Sequence, residues 1–417
     1  MRLRADGRSC GPWLPTTAPE ASITATATAS TGHCCTPRRL SMAADGTRPW
    51  QDRFVHSDRL LLGPGPSNPY PEAVEALSRP VLGHLDPEFL ALVADTAQRL
   101  RTVFGTHNRL TLPVSGTGSA GMEACLASLL QPGELAIIGV NGYFGERLCE
   151  VARRVGAEVQ AVHAPWGRAL DPGKLLDAQR AAPQGRLVAV VHAETSTGVR
   201  NEIGPLRALQ DTDTLLLVDT VTSLGGIPVE VDAWGVDACY SATQKCLGAP
   251  SGIAPVTLSE RAVQRIQQRQ VPVCSFYQDL SLLDAYYQGS PPRYHHTASS
   301  TLISSVYAGL GRLLEEGLPA VWERHARAGE RLQAALPEYG FELFAEPGYR
   351  LPQLTAARLP DGVVDAAARK RLREDFGIEV GAGLGPLAGT GWRIGLMGHN
   401  AHNRPVTTLL AALASLS

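Results

Sequence analysis

Several hallmarks of known protein classes are missing from the 417-residue sequence. No apolar run approaches the roughly 18 residues that a membrane-spanning helix needs, so a membrane partner is not expected. The formal net charge is only −2, so the sequence lacks the excess of positive charge that is typical of proteins with a nucleic-acid partner. The eight cysteines form no CxxC pair and no HExxH motif occurs, so we expect reduced thiols and no metal site.

The N-terminal residues 1–55 differ in composition from the rest of the chain. They are rich in Thr, Ala and Ser and lack hydrophobic periodicity, which predicts a disordered extension. Two alternatives stay open: an organelle transit peptide within residues 1–50, or translation that begins at Met42. The last residues do not form a peroxisomal signal, so the expected location is the cytoplasm.

Hydrophobic patterning beyond this segment predicts an alternation of strands and helices. Short apolar runs predict buried strands at residues 110–114, 135–140, 159–163, 187–192, 215–219, 238–241 and 253–257. Amphipathic segments between them give βα units, which build an α/β fold with a doubly wound, mostly parallel sheet. The pattern then changes, so we predict a large domain over residues 56–316 and a smaller α+β domain over residues 317–417.

A glycine-rich segment follows the first of these strands and opens a helix. Ser115–Gly121 (SGTGSAG) offers hydroxyls and backbone N–H groups to a phosphate at a helix N-terminus. Its glycines also match the GxGxxG pattern of dinucleotide-binding folds, which needs an acid at the end of the next strand. That strand is followed by Asn141-Gly142, so a phosphate cradle is favoured over a nucleotide site and over a simple turn.

Two more polar residues follow predicted strands. Asp219 ends the apolar run 215–218, and Lys245 comes 26 residues later among small and apolar neighbours. Taken singly, they are typical of a helix N-cap and of a solvated lysine. Together with the phosphate cradle they match the needs of pyridoxal phosphate, which requires a phosphate site, a carboxylate for its ring nitrogen and a Schiff-base lysine. An aromatic residue that stacks on the ring is expected at Tyr143 or Phe144.

The sequence also resembles a known family from about residue 60 to the C-terminus. The matching segments keep the family's order: LGPGPSN (62–68), SGTG (115–118), NGYFG (141–145), ETSTG (194–198), VD (218–219), SLGG (223–226), SATQK (241–245), YHHT (294–297) and RIG (393–395). They are similar to those of the alanine–glyoxylate and serine–glyoxylate (serine–pyruvate) aminotransferases, which are class V, fold-type I pyridoxal phosphate transferases.

The resemblance implies roles around the cofactor ring for four residues. Lys245 would form the Schiff base and serve as general acid and base, and Asp219 would pair with the pyridine nitrogen. Phe144 would stack on the ring, and Thr195 would bind its 3-oxygen. Several family members have tryptophan in place of Phe144 and histidine in place of Ser119, so we expect cofactor affinity, rather than the type of reaction, to differ.

The resemblance also implies residues for the phosphate and the substrate. The phosphate would be held by Thr117, Gly118, Ser119 and Gln244, and by Tyr294 and Thr297 of a partner subunit. Arg393 would clamp the substrate carboxylate, for which its planar fork is suited. Ser223 would lie near Arg393, and Gly65 would lie in a stiff loop on the substrate side.

The implied function is that of a homodimeric aminotransferase with shared active sites. It would transfer the amino group of L-alanine or L-serine to glyoxylate by a ping-pong mechanism, giving glycine and pyruvate or hydroxypyruvate. The sequence does not separate the two donors, and it offers no evident second arginine for a dicarboxylic substrate. The alternatives are another class V enzyme, such as an ureidoglycine–glyoxylate aminotransferase, a desulfurase or a lyase; a nucleotide-dependent oxidoreductase; or a binding protein on a degenerate scaffold. Cys246 is poorly placed as a desulfurase nucleophile because it adjoins Lys245.

Overall fold

A computed structural model of the protein describes residues 57–415. The predictions made for residues 1–55, including those of a transit peptide and of a start at Met42, lie outside the described residues. The strands are β1 Leu60–Leu62, β2 Leu110–Ser115, β3 Leu135–Val140, β4 Glu158–His163, β5 Leu187–Val191, β6 Ala193–Glu194, β7 Val199–Arg200, β8 Leu215–Asp219, β9 Ala238–Tyr240, β10 Ile253–Leu258, β11 Glu342–Leu343, β12 Leu354–Arg358, β13 Ile378–Ala382 and β14 Gly391–Gly395.

The helices alternate with the strands of the first sheet and then flank the second. They are α1 Pro71–Glu75, α2 Pro87–Phe104, α3 Gly118–Leu129, α4 Tyr143–Arg154, α5 Pro172–Ala181, α6 Glu260–Gln267, α7 Leu280–Tyr287, α8 Ser300–Glu316, α9 Leu318–Ala335, α10 Asp365–Asp375 and α11 Asn403–Ala414. Among the described residues, no helix is long and apolar enough to cross a membrane.

A seven-stranded sheet forms the larger core, in the strand order β2-β10-β9-β8-β5-β3-β4. Strands β4, β3, β5, β8 and β9 run parallel, whereas β10 is antiparallel to both of its neighbours. All residues of β5 and β8 are buried, as expected for parallel strands covered by helices on both faces. The predicted mostly parallel α/β sheet is confirmed, and β3 and β8 have the predicted bounds.

Helix α3 packs closely on this sheet because a glycine faces it. A Cβ atom at Gly121 would lie 3.1 Å from the Ala254 Cβ and 3.2 Å from the Tyr240 Cβ, so a larger residue would push the helix away. The N-terminus of α3 is thereby held at the edge where the parallel strands end. In open α/β sheets this edge is where ligands bind.

A second sheet of five strands forms the smaller core, in the order β1-β13-β14-β12-β11. Only β1 pairs in parallel; the other pairs are antiparallel. Leu62, Trp392 and Ile394 are buried together in this core. Strand β1 therefore belongs to the second sheet, although the boundary at residue 316 would assign it to the large domain, and the division into two domains remains a prediction.

Candidate active site

A cavity of about 200 Å³ opens where the parallel strands of the large sheet end. Eight residues predicted from the sequence line it: Thr117, Gly118, Ser119, Phe144, Thr195, Asp219, Gln244 and Lys245. The remaining lining residues were not predicted: Met122, Arg147, Val191, Ala193, Val221, Thr222 and Tyr240. Residues up to 128 positions apart in the chain meet here because their strands end at one edge of the sheet.

Asp219 lies at the end of β8 and is held by two donors. The Val221 backbone N–H donates to Oδ1 at 2.8 Å, and the Tyr240 hydroxyl donates to Oδ2 at 2.6 Å. Tyr240 is positioned for this contact because β9 pairs with β8 and places it directly opposite Asp219. Burial raises the pKa of Asp219 to about 6, while these hydrogen bonds act in the opposite direction.

Lys245 also lines the cavity. Nζ donates to the Pro64 carbonyl, and a Cβ atom at Gly65 would collide with the Lys245 side chain. Gly65 also has φ +106°, a conformation that favours glycine. Burial, and next the charge of Arg393, lower the pKa of Lys245 to about 8. A lysine with this pKa exchanges protons readily near neutral pH.

Phe144 reaches the cavity from the first turn of α4, which a buried acid caps. Glu194 Oε2 accepts from the N–H groups of Phe144 at 3.1 Å and Gly145 at 3.2 Å. The Ser196 hydroxyl donates to Glu194 Oε1 at 2.6 Å and accepts from the Tyr143 N–H at 2.9 Å. Burial raises the pKa of Glu194 to about 7. Glu194 and Ser196 together hold the start of α4 and thereby position the Phe144 ring.

Thr117, Gly118 and Ser119, which were predicted to hold a phosphate, lie at the start of α3. Thr117 is the N-cap, and Gly118 is buried so closely that a Cβ atom would lie 2.9 Å from the Val221 side chain. The first N–H groups of a helix have no partner within it and can bind an anion. The buried Gln244 Oε1 has no hydrogen-bond partner among the described residues. Since an amide oxygen only accepts, a bond from Gln244 to a phosphate oxygen would have to come from its Nε2.

Arg393 approaches from the second sheet rather than from the first. It lies on β14, half-buried, and its Nε donates to the Ala382 carbonyl at 2.7 Å. Burial lowers its pKa to about 10, and the charge of Glu194 acts in the opposite direction. Arg393 is not among the cavity-lining residues, but its charge contributes to the lowered pKa of Lys245.

Besides Arg393, four predicted residues do not line this cavity: Ser223, Tyr294, Thr297 and Gly65. Ser223 is fully buried, and its hydroxyl has no hydrogen-bond partner among the described residues. Tyr294 is 60% exposed and Thr297 is also exposed, so within one chain neither contributes to the site. Gly65 contacts the site only through Lys245. The roles implied for these residues remain predictions.

Three residues in or next to the cavity were not identified from the sequence: Tyr240, Glu194 and Arg147. Tyr240 looked like an ordinary strand residue, and its alignment with Asp219 depends on strand pairing. Glu194 lies within a family segment, but its partners are about 50 residues away. Arg147 lies on an amphipathic helix, where an arginine is usually solvated. A helical-wheel view of α4 could have placed Arg147 on the face of Tyr143 and Phe144.

Comparison with known proteins adds a family to this geometry. The family described as "Aminotransferase class-V" matches residues 70–391. The chain belongs to the class-V aminotransferases.

Two curated class-V enzymes illustrate the similarity. An alanine–glyoxylate aminotransferase of Drosophila melanogaster is 37% identical over 362 residues, which cover 85% of this chain and 91% of that protein. An (S)-ureidoglycine–glyoxylate transaminase of Bacillus subtilis is 36% identical over 381 residues, covering 86% and 90%. A crystal structure of an alanine–glyoxylate aminotransferase from Nostoc sp. superposes with a TM-score of 0.85 at 45% identity, covering 88% of this chain and 97% of that one.

Class-V aminotransferases use pyridoxal 5′-phosphate, and the cavity fits that cofactor. The tight glycine at position 118 opens a cradle at a helix N-terminus, the chemistry that a phosphate needs. Asp219 offers a carboxylate, and Lys245 offers a primary amine within the same cavity. Phe144 adds an aromatic face held in place by Glu194. The cofactor prediction is confirmed by the family, and the residues present suit it.

The raised pKa of Asp219 predicts a trade between stability and cofactor binding. The folded protein holds the Asp219 proton more tightly than the unfolded chain does, so the charged carboxylate costs stability as the pH rises through the window from 3.8 to about 6. In Asp219→Asn this cost is absent. Near neutral pH, we expect the free energy of unfolding of the cofactor-free variant to exceed that of the parent by about 1–3 kcal/mol. We expect its affinity for pyridoxal phosphate to be lower.

Urea unfolding of the cofactor-free proteins tests this expectation. Near pH 4 both proteins carry an uncharged group at this position, so the difference should shrink toward zero. The exposed Asp213→Asn is the matched control and should change neither stability nor cofactor binding. A variant less stable than the parent at neutral pH would contradict the account of Asp219.

Proposed function

We propose that this class-V aminotransferase transfers the amino group of L-alanine or L-serine to glyoxylate, giving glycine and pyruvate or hydroxypyruvate. The observation that carries the proposal is the meeting of the Lys245 amine and the Asp219 carboxylate in one cavity with the Arg393 guanidinium nearby. Relatives named as alanine–glyoxylate aminotransferases support glyoxylate as the acceptor and alanine as a donor.

The chemistry follows from what each side chain does. Pyridoxal phosphate, when bound, supplies an electron-withdrawing ring that makes the α-proton of the amino acid acidic. Asp219 would supply negative charge to the ring nitrogen, and Arg393 would bind the substrate carboxylate through its planar fork. Lys245 Nζ would take the proton from the substrate Cα and deliver it to the cofactor carbon that is bonded to the transferred nitrogen. Because the amino group is first stored and then delivered, the kinetics are ping-pong.

The second candidate donor is (S)-ureidoglycine. The relative from Bacillus subtilis named for that activity is 36% identical to this chain, and a crystal structure of that enzyme superposes with a TM-score of 0.85 at 37% identity, below the 45% identity of the alanine enzyme from Nostoc sp.. A desulfurase role is disfavoured by Cys246. Burial raises the pKa of its thiol to about 12, and Sγ donates to the Thr222 carbonyl at 3.2 Å. A buried, protonated thiol is a poor nucleophile.

We also propose that two chains share their active sites. Tyr294 and Thr297 lie exposed on a loop outside helices and strands, where a second chain can use them. A second segment packs against this loop and adds exposed aromatic surface: the Phe276 ring stacks on His295 at 4.8 Å, and Phe276 is 67% exposed and Tyr277 47%. Large exposed aromatic patches are typical of protein interfaces. In this arrangement the hydroxyls of Tyr294 and Thr297 complete the phosphate site of the partner.

A donor panel tests the activity. We expect glycine to form from glyoxylate with L-alanine or L-serine as donor, and Lys245→Ala to lose this activity by at least about 1,000-fold because the general acid and base is gone. The exposed Lys174→Ala should react at the parent rate. Glycine formed only with (S)-ureidoglycine would favour the second candidate, and a Lys245→Ala enzyme at the parent rate would refute both.

Subunit complementation tests the shared sites. Lys245→Ala and Tyr294→Ala each damage every site of their own homodimers. In a mixed dimer of the two, one site carries both changes and the other carries neither. If sites are shared, unfolding and refolding the two variants together should restore up to about a quarter of the parent activity. Refolded single variants are the controls, and a mixture no more active than their mean would contradict shared sites.

A further inference from the structure

Arg147 is the cation of the cavity to which the sequence assigned no role. It lies on α4 and lines the cavity together with Phe144. Its guanidinium carbon lies 4.9 Å from the centroid of the Phe144 ring and 5.1 Å from that of Tyr143, and Nη1 donates to the Ser119 hydroxyl at 3.2 Å. The guanidinium therefore spans the distance from the aromatic face to the first turn of α3.

The charge of Arg147 is not neutralised by an acid. Among the ion pairs within residues 57–415 none includes Arg147, whereas Arg154 on the same helix pairs with Glu150 at 2.7 Å. Its charge reaches the interior: it opposes the burial that raises the pKa of Asp219, and it adds to the lowering of the pKa of Lys245. An unpaired guanidinium that lines a cavity is suited to an anion.

The cofactor phosphate is the anion that the geometry favours. The phosphate carries close to two negative charges, yet the cradle predicted from the sequence is uncharged: Thr117, Gly118, Ser119 and Gln244. Arg147 reaches this cradle through Ser119, while Arg393 approaches from the other sheet. A guanidinium pairs with phosphate through two parallel N–H bonds, which a hydroxyl cannot provide.

We propose that Arg147 binds the phosphate of pyridoxal 5′-phosphate and supplies the charge that the cradle lacks. The contact to Ser119 places the guanidinium beside the cradle, and the rings of Tyr143 and Phe144 lie next to it at 5.1 and 4.9 Å. The inference rests on the proposed function in taking the cavity as the cofactor site.

The test compares pyridoxal 5′-phosphate with pyridoxal, which lacks the phosphate. Dissociation constants of both compounds are measured on cofactor-free protein by the quenching of tryptophan fluorescence. We expect Arg147→Gln to weaken pyridoxal phosphate about 10- to 100-fold and to leave pyridoxal within about twofold of the parent. Arg147→Lys should recover part of the loss, because it keeps the charge without the fork.

A second readout uses inorganic phosphate alone. In the parent, inorganic phosphate should compete for the cradle and raise the apparent dissociation constant of pyridoxal phosphate. In Arg147→Gln this increase should be smaller. Arg154→Gln is the matched control on the same helix, since Arg154 is exposed and paired with Glu150, and it should match the parent in both readouts. Circular dichroism confirms that each variant is folded.

Three outcomes would overturn the inference. Equal weakening of pyridoxal phosphate and pyridoxal by Arg147→Gln would mean that Arg147 acts on the ring through Phe144. Unchanged affinity for both compounds, with a raised KM for L-aspartate as donor, would mean that Arg147 binds the distal carboxylate of a substrate. A parent protein that binds neither compound would refute the proposed function itself, which separates that failure from a failure of the Arg147 inference.

Discussion

The burial of the Lys245 amine is the constraint on which the rest of the site depends. A primary amine away from water keeps its proton less tightly, and the neighbouring Arg393 strengthens this effect. The amine can lie so deep only because Gly65 has no side chain at the point of closest approach. Asp219, on the adjacent strand end, then becomes the negative charge of the cavity. The cavity as a whole is thus built to hold an amine in a reactive state.

The two sheets contribute different residues to the site. The large sheet brings together Asp219, Lys245 and the first turn of α3, because its parallel strands all end at one edge. The second sheet supplies Arg393 on β14, and β1 leads directly into the loop that holds Pro64 and Gly65. In the proposed function, the substrate contact of Arg393 and the cofactor contacts come from different sheets, so substrate preference could change while the cofactor site stays the same.

Much of this arrangement could be predicted from the sequence. Strands β3 and β8 were predicted with their observed bounds because buried parallel strands are short, uninterrupted apolar runs. Asp219 and Lys245 were expected to meet because Asp219 ends one strand of the sheet and Lys245 lies just beyond the end of another. Strand β1 was missed as part of the second sheet, since its partner Ile378–Val380 lies more than 300 residues away. Arg147 and Glu194 were missed because an arginine on a helix and a glutamate beside a turn look solvated until the packing is known.

The absorption spectrum of the protein loaded with pyridoxal phosphate tests the central claim most directly. Amino-group transfer through Lys245 predicts a yellow protein that bleaches when L-alanine or L-serine is added and regains its colour with glyoxylate. This cycle would demonstrate both half-reactions in one cuvette, and the donor that bleaches faster is the preferred one. A protein that stays colourless after incubation with the cofactor, or that does not respond to any amino donor, would contradict the account.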